Sequence, residues 1–293
     1  MYAIDLVDRS FQKDSSGTYE LFLEAGQNGL VYCIFDKKTN QYVLFRRHSF
    51  EHMQLGEDLT GQIAEVMEKD ETLDLQFHFV RFLGYTQQTT LVPAAYFKRK
   101  KINDYLAFNH AGEVNQELYS NHITPPDLFN VFALPRDLVS MITLHFKKVE
   151  FLNQTTPFLK HIAAEQDAFL KPEMHVGLNT GFFDLACTGD GKLKLYNTFQ
   201  YVSESDLLYY VLYVYKQLGL DTQKVPLFIS GELSSKLSYY EILKQYVPET
   251  KYALVRGIPV LAPGLFQLNV VKFLNLLNLQ TCALSAERTG AEK

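Results

Sequence analysis

The chain has 293 residues, 47% of them apolar, with 22 Phe, 18 Tyr and no Trp. That length suits two domains of ordinary size, and the apolar share is enough for a core in each. The net charge of −5 excludes a global field that would draw the protein to nucleic acid or anionic lipid. Three cysteines, Cys33, Cys187 and Cys282, are odd in number and far apart, which argues against a disulfide or zinc framework and for a reducing, cytoplasmic compartment.

The opening stretch MYAIDLVDRSFQKD has early acidic residues and no continuous apolar core, so no signal peptide is expected. Tyr19 to Ala25, Gly29 to Phe35 and Gln41 to His48 then read as three strands in succession, with a polar hairpin loop at 36–40. A helix is expected from Gly56, capped by Asp58, with Ile63, Ala64 and Met67 on one face. Leu75 to Leu83 alternates as a strand should. A helix at Ile102 to Asn109 and strands at Glu117 to Ile123 and Leu128 to Leu134 follow. Pro135 is placed to open a helix as its first residue. A strand at Val149 to Leu152 leads to a helix around Pro157 to Phe169.

The second half repeats the opening: Met174 to Asn179, Phe183 to Thr188 and Lys192 to Phe199 read as three more strands. Asp190 stands in the turn Thr-Gly-Asp-Gly, which suits a type I′ hairpin. Ser203 or Ser205 can cap the helix from Asp206, which ends before Gly219. This helix is too short and too rich in tyrosine to span a bilayer, so no membrane insertion is expected. A strand at Val225 to Ser230, a helix at Leu237 to Tyr246, a strand near Tyr252 to Val255 and a helix at Leu265 to Leu279 complete the chain.

Three antiparallel strands followed by alternating helices and strands, twice over, predict an α/β protein of two like domains. Each is expected to be a mixed five-stranded sheet flanked by helices. The expected division is 1–170, with an inserted subdomain near 89–123, then 171–284 after the breaker Lys171-Pro172, and a flexible tail at 285–293.

This order resembles the actin-like ATPase superfamily, whose two halves are ribonuclease-H-like. The segment LFNVFALPRDLVSMITLHFKKVEFLNQTTPFLKHI, Leu128 to Ile162, is similar to the strand–helix–strand–helix that joins the halves of the pilus-assembly and type II secretion actin-like proteins. KVPLFISGELSS, from Lys224, is similar to the strand that ends in their adenosine-contacting glycines, and TTLVPAAYF, from Thr89, to an uncharacterised bacterial family of this fold. The resemblance implies a nucleotide cleft with matching positions at Glu24, Gly26, Asn179, Thr180, Gly181 and Gly231.

In an ATPase of this kind a strand ends in Asp-x-Gly, the carboxylate holds the water shell of Mg²⁺, and a glycine-rich turn offers N–H groups to phosphate. Here Glu24-Ala25-Gly26 and Asn179-Thr180-Gly181 stand in those places. Asn179 is a neutral amide, and Phe182 and Phe183 follow Gly181 at once, which would desolvate an anion. Ser230-Gly231-Glu232 keeps one glycine of the usual pair, and it also reads as a strand-to-helix turn with Ser234 or Ser235 as N-cap. Asp184 reads either as a displaced carboxylate or as a polar edge position. The Asn179 amide is expected to bond the backbone at Phe182–Phe183.

Other candidates are weaker. His48 and His52 are four apart but at a strand end, where that spacing does not converge on a metal, so no metal site is expected. Lys98-Arg99-Lys100-Lys101 is the single basic run and reads as a solvated helix start, against a nucleic-acid partner. The expectation is a degenerate ATPase without cofactor that serves as a protein- or peptide-binding scaffold. The alternative is an ATPase or kinase that takes ATP and Mg²⁺, using Glu24 for the metal and Gly231 for the base. Oligomeric state is not legible.

Overall fold

The protein, in a computed structural model, is described over residues 2–50, 59–111, 114–164, 169–232 and 238–282. The expected caps at Asp58, Ser234 and Ser235, His52 and the tail at 285–293 lie outside these residues. The chain divides into two compact units. The first runs to Pro157 and takes back Ile258–Leu268 and the segment from Leu276; the second is Phe158–Gly257 with Asn269–Asn275.

In the first unit, β1 (Tyr2–Val7), β2 (Tyr19–Gly26), β3 (Gly29–Asp36) and β4 (Gln41–Ser49) precede helix α1 (Leu59–Lys69) and strand β5 (Phe79–Gly84). Strand β6 (Thr89–Pro93), helix α2 (Ile102–Asn109), and strands β7 (Gln116–Ile123) and β8 (Leu128–Pro135) come next. Helix α3 (Arg136–His145) and strand β9 (Val149–Asn153) lead to helix α4 (Thr155–Ala163). Pro135 is the N-cap of α3 rather than its first residue, with an extended ψ of 130° that no helical residue has.

The sheet order is β1-β4-β3-β2-β5-β9. β2, β3 and β4 form an antiparallel meander, and β5 and β9 add parallel strands, which the intervening helices make possible. Strand β3 is buried along its whole length, as a central strand covered on both faces should be. On α1, Ile63 and Met67 face the core with Val66 beside them, while Ala64 is turned outward. Strands β6, β8 and β7 form a separate three-stranded sheet with α2, over a small core of Val92, Leu106, Val131 and Ala133.

Two buried ionic groups hold the first unit together. Arg81 on β5 donates to Glu20 on β2 (2.7 Å) and to Glu150 on β9 (2.9 Å), so one guanidinium spans three neighbouring strands. Asp70, after α1, accepts from the Tyr32 hydroxyl (2.5 Å) and the Thr72 N–H (3.1 Å) and meets His48 (3.0 Å) and Arg46 (3.4 Å). These partners hold the Asp70 carboxyl well below the usual range despite its burial. His48 is thereby engaged with a carboxylate.

The second unit contains β10 (Glu173–Leu178), β11 (Phe182–Gly189), β12 (Lys192–Gln200), α5 (Glu204–Gln217), β13 (Leu227–Gly231), α6 (Ser238–Tyr246) and β14 (Thr250–Tyr252). Its order is β12-β11-β10-β13-β14, the same meander plus two parallel strands as β4-β3-β2-β5-β9. Both meanders carry a register shift at the same place, between the sixth and seventh residues of the middle strand: Ile34/Phe35 and Cys187/Thr188. The duplication is therefore a property of the register as well as of the order.

Local chemistry explains the element ends here. Ser203 and Asp206 form a reciprocal capping box at the start of α5. At its end the Leu220 N–H reaches Tyr215 and the Gly219 N–H reaches Lys216, a Schellman closure with Gly219 at φ +64°. Asp190 and Gly191, both at positive φ, make the expected turn between β11 and β12. Lys171-Pro172 lies within the second unit, directly before β10. The compact units divide at Pro157, and the Phe158 ring packs 3.1 Å from where a Cβ on Gly177 would lie.

Beyond β14 come β15 (Val260–Leu261), paired to β4, and helix α7 (Leu274–Leu277). The single helix expected from Leu265 to Leu279 is broken into short turns. Asn269 accepts the Lys272 N–H with its own side chain (3.3 Å), starting a new turn where a continuous helix would have used a carbonyl.

Replacing Arg81 with Met leaves Glu20 and Glu150 buried without their shared cation. The expected loss is about 3–5 kcal/mol in urea unfolding, and less when all three positions are made apolar. A single-variant loss below about 1 kcal/mol would show that this triad does not tie the three strands.

Candidate functional site

Strands β10 and β11 meet at a turn of two residues, Thr180-Gly181, closed by the Asn179 N–H donating to the Phe182 carbonyl (2.9 Å). Gly181 has φ +76° with open space where its Cβ would be, so backbone conformation accounts for the glycine. In the first unit Gly26 stands opposite Gly29, and Gln27-Asn28 is the corresponding turn. Counted from these closures, Asn179 corresponds to Gly26, and Gly177 to Glu24. The parallel neighbours agree, since Ala25 faces Gly84 and Leu178 faces Gly231. Glu24 and Asn179 are thus two positions out of the correspondence expected from sequence.

The Asn179 side chain does not bond the Phe182–Phe183 backbone. Its Nδ2 donates to Asp184 Oδ2 (2.9 Å) and lies 3.4 Å from the Gly177 carbonyl. Asp184 sits on β11 between β10 and β12, 1% exposed, so it is a central buried carboxylate and no edge residue. Its Oδ1 accepts the hydroxyls of Tyr196 (2.7 Å) and Thr198 (2.8 Å) from β12. Tyr201 donates its hydroxyl to the Asn179 carbonyl (2.9 Å). Three donors from two flanking strands therefore meet one carboxylate, and the desolvation of that group, several kcal/mol, is offset by bonds worth about 1.5–3 kcal/mol each.

Phe183 follows strand alternation to the opposite face from Asp184. Its ring packs against Phe199 (5.4 Å) and Tyr201 (5.8 Å) in the core under α5. It is a core residue of its own unit. Phe182 is buried as well.

Gly231 closes β13 at φ +93°, and a Cβ there would stand 2.2 Å from the Leu178 carbonyl. The close approach of β10 to β13 requires this glycine. Its N–H donates to the Val271 carbonyl (3.0 Å), the Glu232 N–H to the Leu178 carbonyl (2.8 Å), and Glu232 pairs with Lys272 (2.7 Å). In the first unit, Glu24 is half-buried on the face of β2 that carries Glu20, and Tyr85 lies 3.4 Å from the place of a Gly26 Cβ. Thr180 is exposed. The structure thus brings Asn179, Thr180, Gly181 and Gly231 to one end of the second sheet, and Glu24 and Gly26 to the corresponding end of the first.

Tyr196 and Thr198 are the participants that sequence reasoning misses. Their signal is weak: two hydroxyl side chains at i and i+2 on a strand share a face, but nothing local says that a carboxylate lies opposite. Among the described residues no cluster of three or more His, Cys, Asp or Glu could hold a metal ion. No helix among them is long and apolar enough to cross a membrane. Cys33, Cys187 and Cys282 are buried and unbridged. Lys98 to Lys101 are exposed at the start of α2.

Two units of one strand order, each a three-strand meander with two parallel strands, define the actin-like ATPase fold. A structure of a Bacteroides thetaiotaomicron protein with that fold and unknown function matches at TM-score 0.76 and 19% identity, over 93% of this chain and 99% of that one. The PilM component matched in a PilM–PilN type IV pilus biogenesis complex aligns at TM-score 0.54 and 13% identity, over 90% and 99%. The chain belongs to the family described as protein of unknown function (DUF3822), whose pattern matches residues 8–250. No curated protein matches it in sequence.

Asn179→Asp replaces the amide donor with a second carboxylate against Asp184. Two carboxylates at that distance cannot both ionise, so one must take up a proton in the folded state. The variant is expected to lose about 1–3 kcal/mol, with a larger deficit at neutral pH than in acid, where the proton is available. Equal urea midpoints for variant and parent at neutral pH would contradict the network.

His161 on α4 supplies a second test. Burial first, and His175 nearby second, push its pKa down to about 4. The folded state therefore favours the neutral ring, and its contribution is complete above the unfolded value of about 6.5 and lost as pH falls toward 4. Stability of the parent should fall across that window, and His161→Phe should flatten the fall. An unchanged pH profile in the variant would assign the acid loss elsewhere.

Proposed function

We propose that this protein is a cytoplasmic pseudo-ATPase that acts by binding a protein or peptide and not by turning over nucleotide. The observation that carries this reading is the state of Asp184 and Asn179. The buried carboxylate beside the Thr180-Gly181 turn is committed to three side-chain donors, and the Asn179 amide is one of them. Two-residue turns in both units, in place of glycine-rich loops, offer few N–H groups for phosphate. The close approach of the Leu178 carbonyl accounts for Gly231 without a bound base. These residues do not fit Mg-ATP.

A protein partner is supported by the likeness to PilM, seen in complex with PilN. That likeness concerns the fold, and the partner here need not be related. Three buried thiols without a disulfide are in keeping with a reducing cytoplasm.

Thermal unfolding with and without Mg-ATP tests the first half of the proposal. A ligand at a hundred times its Kd would add about 2.7 kcal/mol, and no shift is expected. A partner found by cross-linking in cells should bind the purified protein equally with and without Mg-ATP. A Mg-ATP shift abolished by Glu24→Gln would instead establish the ATPase or kinase reading.

A further inference from the structure

The two sheets differ at one edge. In the first unit the third meander strand, β4, is covered along its outer side by β1, antiparallel, and by β15. In the second unit the corresponding strand, β12, ends the sheet order among the described residues. No residue of β12 is buried, over nine positions. Natural edges are usually blunted by short length, charge, proline or bulges. β14, at the opposite edge, is three residues long. β12 is blunted at one end alone, by Lys192, Lys194 and the register shift near Leu193, while Leu195 to Gln200 carries neither charge nor proline.

An apolar shelf borders this strand. Phe199 stacks on Tyr210 of α5 (4.8 Å), and Tyr210 touches Tyr209 (5.3 Å), which stacks on Tyr213 (6.1 Å). Tyr209 is 63% exposed, Tyr213 45% and Val202, just past the strand, 96%.

We infer that β12 pairs antiparallel with β12 of a second copy of this chain, across a two-fold axis, to make one continuous ten-stranded sheet. The sequence of the edge suits this occupant. In an antiparallel pairing centred on Tyr196, the uncharged stretches of the two copies lie along each other, and the lysines, one of them at the bulge, fall beside the uncharged far end of the other copy, Thr198 to Gln200. Each lysine thus meets an uncharged residue and stands far from its own image. A two-fold axis normal to the sheet keeps like faces together, so the α5 helices lie on one side and their exposed tyrosines approach each other. The precedent is in the chain itself, since β1 covers β4 in the same antiparallel sense.

The inference stands apart from the pseudo-ATPase reading, and its test involves no nucleotide. Light scattering on the eluting full-length protein, from micromolar to several hundred micromolar, is expected to show twice the chain mass at the upper end. Asn197→Lys, at an exposed position of the uncharged stretch, and Tyr209→Glu with Tyr213→Glu, on the shelf, should each shift the midpoint at least tenfold toward monomer. Circular dichroism should show both variants folded. Amide exchange at Thr198 should slow with concentration in the parent alone. A parent that stays monomeric throughout would overturn the inference, as would a dimer unaffected by either variant. Protection of Thr198 by a different protein only would assign the edge to that partner and overturn it too.

Discussion

A carboxylate in the middle of a sheet must be answered by donors, and in the second unit those donors decide what the strand ends can do. Asp184 draws an amide from the end of β10 and two hydroxyls from β12. Losing any donor leaves buried charge under-satisfied, at about 1–3 kcal/mol. The three strands are therefore locked in one register at the end that carries the Thr180-Gly181 turn. Asn179 cannot swing toward a ligand without uncovering Asp184. Under the proposed reading, these atoms serve the sheet and not a ligand.

The first unit solves the same problem with full charges. Arg81 bridges Glu20 and Glu150 across three strands, and Asp70 gathers Tyr32, His48 and Arg46. A neutral cluster joins the small sheet to β9 and α4: Asn130 bonds both Asn153 and Thr156, and Thr156 bonds Asn121 (3.0 Å). Such networks are exacting, since every member must be satisfied. They are also directional, and they fix geometry that apolar contacts alone would leave loose.

The duplicated strand order was legible because each meander is a run of apolar strands with turn residues at its ends. The Ser203–Asp206 cap and the Gly219 stop were legible for the same reason, as local chemistry read within a few residues. The Asn179–Asp184–Tyr196–Thr198 group was not, because it spans two hairpins and forms only once β10, β11 and β12 are in register. Asp184 looks like an edge residue until β12 is seen to cover it. The two-residue offset between Glu24 and Asn179 has the same origin: a glycine pattern gives no register, whereas the closures at Gly26–Gly29 and Asn179–Phe182 do. Strand β1 carries alternating Tyr2, Ile4 and Leu6, but a short edge strand gains its stability from β4, which no local pattern reveals.

The central claim is that the Asn179 amide belongs to Asp184 and is unavailable to nucleotide. The most direct measurement is a Mg-ATP titration followed through the Asn179 side-chain amide and the Gly181 and Gly231 backbone amides in nitrogen–proton NMR spectra. The account predicts that all three signals stay in place at millimolar Mg-ATP, with the Asn179 amide protons slow to exchange and sensitive to Asp184→Asn. Saturable shifts of the Asn179 and Gly231 signals together would contradict it.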